Sequence, residues 1–76
     1  MRGLKQDPIE SLSPRERTLL EALSKGLTNK ELARELDISA NTVKFHLSNL
    51  FEKLSVKNRA QAIAFFYANR ASRGEM

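Results

Sequence analysis

The sequence predicts an all-α fold, a compact domain of four short helices, and three features carry that expectation. Small polar residues stand just ahead of apolar segments, with Glu or Gln three positions on, the pairing that closes a helix start. Apolar residues return at spacings of three and four, the period of an amphipathic helix. No segment shows the strict alternation of a half-buried strand.

Residues 1–11 are polar, contain Gly3 and Pro8 and show no period, so they read as a tail or interdomain linker. The helical domain spans residues 12–70. In "SPRE", Ser13 is an N-cap, Pro14 stands at the first helical position, where its missing N–H is harmless, and Glu16 closes the capping box. Leu19, Leu20 and Leu23 form the buried stripe of this first helix, and Gly26 is placed to end it in a left-handed conformation. "TNKE" opens the second helix, with Thr28 as cap, Glu31 closing the box, and Leu32, Ala33 and Leu36 inward. After the break at "LDIS", Ser39 caps a third helix over residues 40–54. Asn58 and Gln61 open a fourth, with Arg59, Ala62, Ile63 and Phe66 on its core side. Residues 71–76 read as a flexible C-terminal tail.

Composition removes several function classes. A chain of 76 residues is one small domain, too thin to enclose a deep catalytic cleft. It has no cysteine and one histidine, which leaves no thiolate zinc site and no histidine pair. No nucleophile–base pair, metal cluster or phosphate loop can be assembled, so the chain is expected not to be an enzyme and to need no cofactor. No apolar run approaches the roughly 20 residues of a membrane-spanning helix, and lysines do not line one helix opposite an apolar face. Thirteen Lys and Arg against nine Asp and Glu give a net charge of +4, which favours polyanionic partners but also lies within the ordinary solubility range. The placement of the charge has to decide.

The third helix decides it. At about 100° per residue, Leu47, Leu50 and Leu54 cluster with Val43 as a core stripe, and Phe51 lies near its edge. Asn41, Phe45, Ser48 and Glu52 fall on the opposite face, flanked by Lys44 on one side and by Thr42, His46, Asn49 and Lys53 on the other. A simply solvated face more often carries Glu and Lys alternating at i,i+4. This one pairs small polar groups with an outward aromatic and a lysine. A short capped helix, a tight turn and a longer helix make a helix-turn-helix, whose second helix enters the DNA major groove. There Lys44 can donate to guanine acceptors and Phe45 can pack on a thymine methyl group. The bland alternative is that Phe45 packs on the tail or on another copy of the chain.

These motifs resemble a known family. Leu12-Ser13-x-Arg15-Glu16, Gly26-x-Thr28-Asn29-Lys30-Glu31-Leu32-Ala33, Ile38-Ser39-x-x-Thr42-Val43-Lys44-x-His46-Leu47 and Lys53-Leu54-x-Val56-x-x-Arg59 are similar to the LuxR/GerE-type DNA-binding domain of bacteria. The likeness covers residues 12–67. It implies a four-helix, cytoplasmic, sequence-specific DNA-binding domain of a bacterial transcription regulator, acting as a dimer. It assigns Lys44, Phe45 and Ser48 to bases, and Thr28, Asn29, Lys30, Thr42 and His46 to the DNA backbone, with Lys53 a further backbone candidate. Family members often carry a second long basic residue at the position of Ser48 and a smaller side chain at that of Phe45, which shifts the expected readout toward methyl contact, water bridges or DNA shape.

Local alternatives stay open for several residues. His46 can satisfy a nearby hydrogen bond, Thr28 is a cap in any case, and Arg59 can either pack or reach a phosphate. On the fourth helix, Ala64, Phe65 and Ala68 form a smooth apolar patch with Phe65 as anchor. It is expected to support a weak homodimer that DNA stabilises, or else to be covered by the tail or another domain. RNA polymerase is a further expected partner of such a regulator. The alternative function is a helix-turn-helix protein-interaction module contacting the transcription machinery through Phe45. Because "RGLKQDPIES" reads as linker, the chain is expected to be an output domain excised from a longer regulator, with a free-standing short regulator as the other option.

Overall fold

The computed structural model describes Ile9 and residues 11–72, with side chains as far as Asn69. Four helices follow one another: α1 (Pro14–Ser24), α2 (Asn29–Leu36), α3 (Ala40–Leu54) and α4 (Arg59–Ser72). Among the described residues there is no strand.

The helix starts form as their sequences dictate. Ser13 and Glu16 exchange bonds in a complete capping box, as do Thr28 and Glu31. Ser39 accepts the N–H of Thr42 at the start of α3. At α4 the pattern shifts by one residue: Asn58 Oδ1 accepts the Gln61 N–H at 2.9 Å, but the Gln61 carboxamide takes the N–H of Lys57 at 2.7 Å.

All three interhelical turns use a left-handed residue to reverse the chain. Gly26 does so after α1 with φ 87°. Asp37 and Ser55 do so after α2 and α3, with φ 59° and 58°, although neither is glycine. Left-handed geometry costs an L-residue roughly 1–2 kcal/mol. Each turn offsets that cost by satisfying helix-end carbonyls. Ile38 N–H reaches the Ala33 carbonyl at 2.9 Å, and Val56 N–H reaches that of Phe51 at 3.0 Å. Both closures bring a β-branched apolar residue back over its helix, where Ile38 and Val56 pack on the core.

The core is leucine-rich. Leu19, Leu20 and Leu23 of α1, Leu32 of α2, and Val43 and Leu50 of α3 are fully buried, and Ala62 and Phe66 contribute from α4. α1 lies against α4 and α2 against α3, while α3 also meets α1 and α4. Ala33 of α2 is buried as well. The core begins earlier than the sequence predicts. Ile9 is buried, its carbonyl accepting the Leu12 N–H at 3.2 Å and the Arg17 guanidinium, also at 3.2 Å. Ile9 lies within the stretch read as tail or linker, an isolated apolar residue with no periodic partner to mark it. At the other end, α4 continues through Ser72, two residues past the expected limit. The remaining tail lies outside the described residues.

One ion pair ties the last turn of α3 to the first turn of α1. Lys53 Nζ meets Glu16 Oε1 at 2.9 Å, with the Glu16 side chain only 16% exposed. The same carboxylate accepts the Ser13 N–H at 2.9 Å. That backbone bond, then Lys53, holds the Glu16 carboxyl below its ordinary value of 4.5. A carboxyl depressed in the folded state stabilises the fold above its unfolded pKa and loses that contribution as pH falls through the folded one. Glu16→Gln keeps a capping partner but removes the charge. It is expected to cost up to about 1 kcal/mol at neutral pH and to flatten the loss of stability below pH 4.5, as read by urea unfolding across the acid range.

Candidate nucleic-acid interface

Two neighbouring elements carry the residues expected to meet DNA, namely the outward face of α3 and the start of α2. Burial of Val43, Leu47, Leu50 and Leu54 fixes the rotation of α3. Asn41, Lys44, Phe45, Ser48 and Glu52 are consequently exposed, and Thr42, His46 and Asn49 are half-buried at the flanks. Phe45 is 64% exposed, more than any other large apolar side chain described. Among the described residues its ring meets that of His46 edge-on, centroids 5.8 Å apart. Phe45 therefore has no place in the core.

Lys44, Phe45 and Ser48 share the exposed face of one helix at i, i+1 and i+4. Thr42 is engaged locally: its hydroxyl pairs with that of Ser39 at 2.8 Å, which holds both side chains at the N-terminus of α3.

At the start of α2, Thr28 and Lys30 are exposed and Asn29 is half-buried. The Thr28 oxygen accepts the Glu31 N–H at 3.2 Å, which leaves its hydroxyl hydrogen available as a donor. The N–H groups of a first helical turn and the helix dipole favour an anion at this end. The Glu31 carboxylate is turned back to the Thr28 N–H at 2.8 Å.

Arg59 joins α4 to this end. Its guanidinium donates to the Leu27 carbonyl at 3.0 Å and to the side-chain oxygen of Asn29. The sequence left Arg59 open between packing over α3 and reaching a phosphate; in the structure its guanidinium clamps the α1–α2 turn. Sequence reasoning could not see this pairing, because the partners lie 30 and 32 positions away.

Two expected sites are arranged differently from their first reading. Lys53 lies roughly 13 Å along α3 from Lys44 and is bound to Glu16, although its side chain stays 49% exposed. On α4, Ala64 and Ala68 are exposed, but Phe65 is half-buried and packs on the core. The exposed aromatic there is Tyr67, 49% accessible, its hydroxyl donating to the Ser24 carbonyl at 3.1 Å. Tyr67 follows Ala64 by three, the helical spacing that could have signalled it.

Comparison with known proteins bears on this arrangement. The family model described as "Bacterial regulatory proteins, luxR family" matches residues 10–66. The probable transcriptional regulatory protein SgaR of Hyphomicrobium methylovorum is 57% identical over 61 residues, which are 80% of this chain and 29% of that protein. The nitrate/nitrite response regulator protein NarP of Escherichia coli is 42% identical over 72 residues, 95% of this chain and 34% of that protein. The DNA-binding transcriptional activator DevR/DosR of Mycobacterium tuberculosis is 45% identical over 69 residues, 91% of this chain and 32% of that protein. The chain spans about a third of the length of these curated relatives.

Phe45→Ala is expected to leave folding stability within about 0.5 kcal/mol of the parent. Leu50→Ala, emptying a fully buried site on the same helix, is expected to cost about 2–5 kcal/mol. Urea unfolding at neutral pH compares the two directly.

Proposed function

The chain belongs to the luxR family of bacterial regulatory proteins and is a DNA-binding helix-turn-helix domain, and from that premise we propose that α3 enters the major groove and reads operator DNA. The observation that carries this reading is Phe45, exposed beside Lys44 and Ser48 on the outward face of α3. Lys44 supplies donors for guanine O6 and N7, Phe45 an apolar surface for the thymine methyl group, and Ser48 a short group that reaches bases directly or through water. Thr28, Asn29 and Lys30 grip one stretch of the DNA backbone, and Thr42 and His46 a second beside α3. Lys53, paired with Glu16 but 49% exposed, is a further backbone candidate.

Ala64 and Ala68, with the exposed Tyr67 and the outer edge of Phe65, form the patch through which two copies pair on DNA. Twofold pairing requires a roughly palindromic operator. On this reading the chain works in the bacterial cytoplasm, as part of a transcription regulator that aids or blocks RNA polymerase at a promoter.

The division between backbone and base contacts is testable by salt and by sequence. Removing one phosphate contact lowers the magnitude of the slope of log affinity against log salt by about 0.9. Lys30→Ala is expected to produce that reduction while keeping the ranking of operator variants. Lys44→Ala is expected to change the ranking among sequences selected from random DNA. Identical behaviour of the two variants contradicts the assignment, and loss of all DNA affinity dependence on α3 favours a protein partner for Phe45.

A further inference from the structure

Arg59 does more than fasten α4 to the α1–α2 turn. A guanidinium has donors only, so the atom of the Asn29 carboxamide that meets it has to be the oxygen. This fixes which way the amide lies, and its NH2 group is turned away from Arg59. Among the described residues no protein acceptor meets that NH2 group. Asn29 is the first residue of α2, between the Thr28 hydroxyl and the exposed Lys30, so its two N–H bonds join a row of donors on three consecutive residues.

We infer that Arg59 is the positioning residue of the backbone grip: it holds the Asn29 amide with its donors toward a DNA phosphate without touching that phosphate itself. The inference rests on the proposed backbone role of Asn29. The Leu27 carbonyl takes a bond from the other arm of the guanidinium at 3.0 Å, so each arm donates within the protein. That two-armed hold sets the direction of the amide as well as its place, and it needs the planar fork. A lysine has one compact ammonium and cannot reproduce it.

The test is a double-mutant cycle on the full chain, binding a short labelled duplex of arbitrary sequence over a range of salt. Asn29→Ala is expected to weaken binding about tenfold, the loss of a hydrogen bond to a charged group. Arg59→Lys, which keeps the charge and the aliphatic stem and so preserves the fold, is expected to weaken it by a similar factor. In the Asn29→Ala background, Arg59→Lys is expected to have no further effect. Arg59→Ala is expected to keep the parental salt slope, as a residue off the phosphate should.

Equal losses from Arg59→Lys in both backgrounds overturn the inference, because Arg59 then acts on the fold at large. A slope reduced by about 0.9 in Arg59→Ala overturns it too, because Arg59 then meets a phosphate directly. Parental binding by Asn29→Ala removes the backbone role of Asn29 and the inference with it, a result that the other two outcomes cannot mimic.

Discussion

Val43, Leu47, Leu50 and Leu54 set the rotation of α3 about its own axis, and what the helix offers to the outside follows from that rotation. Four apolar side chains at helical spacing can be buried together in only one orientation. Once they are, Lys44, Phe45 and Ser48 have to face outward. Each of these inner residues removes roughly 1.5–3 kcal/mol of exposed apolar surface from water, whereas the outward residues contribute little to folding. The core therefore fixes the presentation of the interface, and the interface is left free to suit its ligand.

The turns complete that frame. A domain this small has little core to spare, and it caps both ends of α1, α2 and α3 instead of leaving their polar groups unpaired. Asp37 reverses the chain between α2 and α3 within three residues, and Ile38 seals the turn against Ala33. Arg59 ties the beginning of α4 to the beginning of α2, and the Glu16–Lys53 pair ties α1 to the end of α3. Elements far apart in sequence are thus held by one or two polar contacts at their ends, around one leucine-rich core.

What could be read from the sequence was local. Capping residues lie within three positions of their partners, so the helix starts at Pro14, Asn29 and Ala40 are plain, and the 3.6-residue period exposes the face of α3. What could not be read was tertiary or conformational. Nothing in a polar stretch marks Ile9 as a core residue. Neither Asp37 nor Ser55 carries the glycine that signals a left-handed turn. The partners of Arg59 and Lys53 are fixed only by folding, since no periodicity links residues thirty or more apart. On α4 the apolar residues run almost all the way round, so spacing separates its inner and outer sides poorly: Phe65, read as outward, is half-buried against the core, and Tyr67 is the exposed aromatic.

The central claim is that the outward edge of α3 meets base pairs, and the proton environment of one ring tests it most directly. In the isotope-labelled chain bound to a selected duplex, the Phe45 ring protons are expected to show intermolecular nuclear Overhauser contacts with a thymine methyl group or a base edge. Contacts from DNA confined to other helices, with the Phe45 ring unchanged from the free protein, contradict the account.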